Sequence, residues 1–177
     1  RLDPDAMFLA GGHAVLPERK LRHTAPLTLI DLGRIADLRG IKILDDGAPR
    51  QPGGNGTPGG AVRIGAMTTS AEIEYSPAVA RVAPLLPRAA AVISDPLIRN
   101  RATLGGSLAE ADPHGDWPPV VLAADATMHL RASDGERALP ANEFFTVDGD
   151  RRGSKRTALR RGELLTAVTV PASDART

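Results

Sequence analysis

The residues whose types and spacing can do chemistry fall in two short stretches far apart in the chain. The first is Ala10-Gly11-Gly12-His13-Ala14, approached through an apolar run (Met7, Phe8, Leu9) and left through Val15-Leu16-Pro17. The second is Thr103-Leu104-Gly105-Gly106-Ser107, inside a polar, charged segment. Glycine has no Cβ, so its backbone takes positive φ and comes very close to a ligand. Successive N–H groups in such a turn converge on an anion. A single Gly-Gly pair reads equally as a plain tight turn. Two pairs suggest two cradles for the ends of one extended, phosphorylated ligand. Thr103, Ser107 and His13 add side-chain donors, and Asp116 can accept from a sugar or ribityl hydroxyl. Arg99 and Arg101 carry two open readings, as phosphate ligands or as structural ion pairs beside Asp95.

Other chemistries fit poorly. A Rossmann site needs three spaced glycines between strand and helix and an acid about 20 residues on. Neither pair has that pattern, and neither has the lysine of a phosphate-binding P-loop. Ser107 does not stand in a Gly-x-Ser-x-Gly elbow. The four histidines (His13, His23, His114, His129) share no ligand spacing. Asp112, His114 and Asp116 alternate beside Pro and Gly, which reads as caps or turns rather than as a metal site. Asp95, Asp112 and Asp116 could form acid/base pairs, but no pattern places them in one cleft. Without cysteine, the chain forms no disulfide, ligates no iron–sulfur cluster through thiolates and has no thiol nucleophile. The net charge is +1 and no basic stripe is interleaved with aromatics, against nucleic-acid binding. No apolar run approaches membrane-spanning length and no signal peptide is visible, so the cytoplasm is the expected compartment.

The elements that must position these loops are mixed. With 177 residues, of which only one Trp, one Tyr and three Phe are aromatic, the expected core is aliphatic. Strands are expected over 7–10, 27–32 and 41–44, with a helical turn over 14–20 and a short turn or helix over 35–38. They make a small β-α-β lobe at residues 1–45. Residues 46–60 are mostly Gly and Pro and read as a flexible hairpin loop, with 61–66 as the returning strand. A larger α+β lobe fills 61–177. Its helix starts are marked by the Thr69…Glu72 capping box and by Ser76-Pro77. A helix buried nearly all round is expected over 82–93, and an apolar helix over 117–124. A strand over 127–131, a turn over 133–136, a short helix over 140–145, an exposed basic loop over 148–161 and a closing strand over 164–170 complete it. The class is α+β. The chain opens and stops close to strands, as a fragment would.

In this combination the sequence resembles the FAD-binding subunit or domain of the molybdenum hydroxylases, the group of carbon monoxide dehydrogenase medium subunits and xanthine dehydrogenases. The carriers are Ala10-Gly11-Gly12-His13 with Leu16-Pro17 and Lys20; Leu29-Ile30-Asp31-Leu32; Ile64-Gly65-Ala66-Met67-Thr68-Thr69; Asp95-Pro96; and Ile98-Arg99-Asn100-Arg101. They continue with Thr103-Leu104-Gly105-Gly106-Ser107, Ala111-Asp112-Pro113 with Asp116, and Gly162-Glu163-Leu164-Leu165. The resemblance implies a two-lobed FAD-binding fold of the vanillyl-alcohol oxidase type. Residues 10–14 would hold the pyrophosphate, residues 103–107 the phosphate and ribityl region, and Asp116 a ribityl hydroxyl. It also implies an electron relay, fed by an iron–sulfur subunit and a molybdopterin subunit, that passes electrons to an external acceptor. No side chain here would act as a general acid or base. Ala14 stands where many such proteins carry a polar side chain, a loss of roughly 1.5–3 kcal/mol if that bond reaches the anion. The resemblance further implies flanking segments beyond both ends, among them a small C-terminal domain that helps cover the flavin ring. The competing reading is a docking or assembly module of the same fold without a working flavin site.

Overall fold

The structure is a computed structural model that describes residues 6–20, 28–44, 60–146 and 156–173. The expected loop over 46–60, apart from Gly60, and most of the basic segment over 148–161 lie outside the described residues.

The front of the chain forms the expected β-α-β unit. Strand β1 (Met7–Leu9) pairs in parallel with β2 (Leu29–Asp31), and helix α1 (Val15–Lys20) lies between them in the chain. Two parallel strands need a crossover rather than a hairpin, which the sequence provides. A 3-10 turn follows at Ala36–Leu38. Strand β3 (Ile41–Leu44), which the sequence reading grouped with this lobe, pairs antiparallel with β4 (Ala61–Gly65) and so belongs to the second sheet.

That sheet has five strands in the order β3-β4-β7-β5-β6, all antiparallel, with β5 (Thr127–Ala132), β6 (Gly135–Pro140) and β7 (Leu164–Pro171). One face alternates Val62 and Ile64, Val168 and Val170, Met128 and Leu130, all buried. Period-two spacing puts such residues on one side of a strand. Helices cover that face through Ile73 of α2 (Ser70–Glu74), Val79 of α3 (Pro77–Val82) and Leu86 of α4 (Leu85–Val92). Leu104 and Leu108 of α6 (Leu104–Glu110), Trp117 of α7 (Trp117–Ala123) and Phe144 of α8 (Ala141–Phe144) complete the cover. Between α4 and α6 lies the short α5 (Pro96–Arg99). The buried Trp117 indole donates to Ser70 Oγ at 3.2 Å, tying α7 to α2.

Local signals predict local structure well. The Thr69–Glu72 capping box is formed, with Glu72 N–H donating to Thr69 Oγ1 and Thr69 N–H donating to the Glu72 carboxylate. Ser76 caps α3 and Pro77 occupies its first turn. The helix expected over 82–93 starts later, at Leu85, after a break at Ala83 that separates it from α3. Pro84 disfavours helical backbone at the residue before it, and Ala83 sits at φ −137°, ψ 72°. It is also not buried all round: Leu86 and Ala90 face the core, while Leu85 and Val92 are exposed. The expected turn over 133–136 runs on into β6, an edge strand whose alternate exposed residues hide its signal. Of the expected exposed basic loop, Thr157 is buried and bridges Phe145.

The start of α6 is sewn onto the segment after β4. Ser70 N–H donates to Ala102 O, Leu104 N–H to Thr68 O and Gly105 N–H to Ala66 O, at 2.8–2.9 Å. A Cβ on Gly105 would lie 2.4 Å from Ala66 Cβ and 2.8 Å from its Cα and carbonyl oxygen. Only glycine permits this approach. Gly105→Ala is therefore expected to destabilise the fold by roughly 1–3 kcal/mol, read as a lower denaturant midpoint. An unchanged midpoint would show that α6 does not need the contact.

Candidate functional site

The two glycine stretches meet at one cavity of about 450 Å³. Its wall includes Ala10, Gly11, Gly12, His13 and Ala14 from the β1–α1 turn, and Thr103, Gly105, Gly106 and Ser107 from the start of α6. Asp116, just before α7, lines it too. Of residues 10–14, 103–107 and Asp116, Leu104 alone is not part of the wall; it is fully buried in the core.

The β1–α1 turn is shaped as an anion cradle requires. Gly12 has φ +79°, which disfavours a residue with a side chain. Among the described residues, the N–H groups of Gly11, Gly12, His13 and Ala14 find no backbone carbonyl partner. His13 Nδ1–H donates back to the Gly11 carbonyl at 3.2 Å, holding the imidazole against its own turn. Gly11 also packs on the second stretch: a Cβ there would fall 2.2 Å from the Arg101 carbonyl oxygen.

The second stretch is built differently from its sequence reading. Its N–H groups already have acceptors: Leu104 with Thr68 O, Gly105 with Ala66 O, Gly106 with Thr103 Oγ1 and Ser107 with Thr103 O. Gly105 and Gly106 thus serve close approach rather than donation. A Cβ on Gly106 would meet Thr103 Oγ1 at 2.8 Å and Ala10 Cβ at 3.2 Å, so the two glycine stretches face each other at near contact. The hydroxyls of Thr103 and Ser107 remain as the donors of this side.

Arg99 takes a structural role. Its Nε donates to Glu74 at 2.8 Å, and its Nη1 to the carbonyls of Ser94 and Ile93. Asp95, the partner expected for it, instead accepts from the N–H groups of Leu97 and Ile98 and caps α5. Arg101 is exposed and does not line the cavity.

Several wall residues lay outside the set read from the sequence. Met67 and Ala66 follow β4, Leu32 and Leu38 come from the front lobe, and Leu159, Glu163, Leu164 and Leu165 come from the approach to β7. Leu32, Leu38 and Met67 form a small apolar cluster of their own, with Phe8, Ala10 and Leu164 against it. The motifs around Gly65-Ala66-Met67 and Gly162-Glu163-Leu164 carried the signal, but nothing local tells a wall residue from a core residue. Asp112 also lines the cavity. The N–H of His114, donating at 2.9 Å, holds its carboxyl below the usual range, and the His114 ring and Arg156 add to this against partial desolvation. Among the described residues, no group of three or more His, Asp or Glu is placed to hold a metal ion. None of the described helices is long and apolar enough to cross a membrane.

This arrangement brings two facing glycine stretches together around one cavity, with N–H groups of the first left unclaimed by the described backbone. The family described as the FAD binding domain in molybdopterin dehydrogenase matches residues 1–173, and the chain belongs to it. The carbon monoxide dehydrogenase medium chain of Hydrogenophaga pseudoflava is 39% identical over 172 residues, covering 97% of this chain and 53% of that protein. The nicotine 6-hydroxylase medium subunit of Paenarthrobacter nicotinovorans is 36% identical over 169 residues, covering 96% of this chain and 53% of its own length. A solved structure of the Hydrogenophaga pseudoflava carbon monoxide dehydrogenase superposes with a TM-score of 0.82 at 40% identity, over 98% of this chain and 54% of that one. The chain thus spans about half the length of the relatives it matches, and its two-lobed α+β fold is theirs. The residues present fit FAD, the ligand in the family's description: the cradle at Gly11 and Gly12 leaves N–H groups unclaimed by the backbone, as a diphosphate requires.

Glu163 is the buried charge of the wall. Arg137 grips it with two bonds, Nε to Oε1 and Nη2 to Oε2, both 2.7 Å, and Arg160 N–H donates to Oε2 at 2.9 Å. Foremost through the Arg137 bonds, its pKa falls from an ordinary 4.5 to about 2. Its contribution to stability is complete above pH 4.5 and is lost as pH falls from 4.5 through 2. Acid titration of unfolding should show this loss in the wild type, and Glu163→Gln should flatten that part of the curve.

Proposed function

We propose that this chain is the FAD-binding part of an electron-transfer subunit of a molybdenum-containing hydroxylase or dehydrogenase. The observation that carries the reading is the convergence of Gly11-Gly12 and Thr103–Ser107 on one cavity in a chain of this family. The N–H groups of residues 11–14 would hold the diphosphate. Thr103 and Ser107 would donate to the phosphate and ribityl region, and Asp116 would accept from a ribityl hydroxyl. Leu104 supports them from the core, and Ala10, Gly105 and Gly106 contribute by being small enough to let the segments close. When bound, FAD supplies a redox centre that can take up and release electrons. The apolar wall of Leu32, Leu38, Met67 and Leu164 would exclude water from part of the ligand.

In this reading an iron–sulfur subunit and a molybdopterin subunit are the partners, electrons leave to an external acceptor, and the complex works in the cytoplasm. The chain by itself would be inactive on the complex's substrate. We also propose the division into a small lobe at residues 1–45 and a larger lobe at 61–177, joined by residues 46–60, with β3 crossing over to the larger sheet.

Purified chain mixed with micromolar FAD should retain absorption near 450 nm after gel filtration. Gly106→Val should weaken FAD binding at least tenfold, because its side chain would occupy the gap to Ala10 and Thr103. Ala138→Val, on exposed β6 and away from the cavity, should leave binding unchanged. No uptake of FAD by the wild-type chain would favour the docking-module reading, and equal binding by the two variants would remove the facing-glycine argument.

A further inference from the structure

The buried charge in the wall, Glu163, has no task in the reading above. Among the described residues that line the cavity, Glu110, Asp112, Asp116 and Glu163 are acidic and none is Lys or Arg. Such a wall opposes an anionic ligand. Three of the four carboxylates have access to water, which screens them, whereas Glu163 is buried, with its side chain only 4% exposed. Coulomb energy grows as the local dielectric falls, so an unpaired carboxylate at this position would act on the cavity with little screening. Arg137 removes that field: its guanidinium faces both carboxylate oxygens, and Nη2 also donates to Ala158 O at 2.9 Å. Glu163 N–H in turn donates to Arg160 O at 3.1 Å, closing a turn that contains Gly162 at φ +76°. The pair therefore anchors the segment that brings Leu159, Leu164 and Leu165 to the cavity, and it reaches from edge strand β6 to the start of β7 across β5.

We propose that Arg137 and Glu163 are positioning residues that hold this wall in place and balance its charge, and so set the affinity of the cavity for a dianionic dinucleotide. The inference rests on the FAD reading and adds to it a residue pair that need not touch the ligand. A purely structural pair would lose binding equally whichever partner is removed. A charge-balancing pair gives opposite results, because Arg137→Gln leaves a buried negative charge and Glu163→Gln leaves a positive one.

The test is a titration of the wild-type chain and its variants with FAD at pH 8, in low and in high salt, with folding followed by circular dichroism. Arg137→Gln should raise Kd at least tenfold in low salt, and the deficit should shrink as salt rises. Glu163→Gln should bind more tightly than wild type in low salt, by more than the threefold allowed to the double variant below. The apolar double variant Arg137→Met with Glu163→Leu, which replaces the ion pair by groups of similar bulk, should stay within about threefold of wild type. If Arg137→Gln does not fold, tighter low-salt binding by Glu163→Gln than by the double variant supports the proposal, and equal binding overturns it. Equal weakening of both single variants, or no change in any, also overturns it. Inorganic pyrophosphate as a second probe separates the two readings. The same order of affinities for pyrophosphate without uptake of FAD by the wild type would sustain charge balance and remove the FAD role, and binding of neither would remove both.

Discussion

The candidate site depends on a short run of backbone hydrogen bonds. Ala102, Leu104 and Gly105 are bonded to Ser70, Thr68 and Ala66, between the end of β4 and the first residue of α2. Backbone groups removed from water must be paired, and here pairing does more than satisfy them. It fixes the start of α6 against the large sheet at a distance only glycine allows. Gly11 then lies against the Arg101 carbonyl and Ala10 against Gly106, so the front lobe takes its place from the same anchor. Both glycine stretches are thereby placed by one set of contacts, and the cavity is what remains between them.

Much of this was legible because the signals are local. The capping box at Thr69–Glu72, the Ser76-Pro77 start, the crossover from β1 to β2 and the buried face of β5 each follow from a few neighbouring residues. The two glycine pairs and Asp116, singled out in the same way, come together in the wall of one cavity. What stayed hidden depends on partners distant in sequence. Strand β6 shows little apolar pattern because it is an edge, and it exists through pairing with β5. Arg99 stands four residues after Asp95 but is held by Glu74, a choice that only the packing of α5 beside α2 decides. Glycine at 105 and 106 was readable as necessary, yet the reason was not: a glycine kept for close packing and one kept for donation look alike in sequence.

That last ambiguity makes the two cradles unequal. Around Gly11-Gly12 the N–H groups remain unclaimed by carbonyls of the described backbone, whereas around Gly105-Gly106 each has an acceptor within the fold. A doubly negative group placed among carboxylates, with no lysine or arginine among the described wall residues, needs oriented dipoles. In the proposed reading only the first turn has enough of them, so it takes the diphosphate. The second stretch then offers hydroxyls, which suit neutral polyol and ribose oxygens as well as phosphate. Pairing Glu163 with Arg137 belongs to the same economy of charge. Among the described residues no Lys or Arg lines the cavity, so in the proposed reading the buried Glu163 carboxylate has to be neutralised from behind for an anion to bind there.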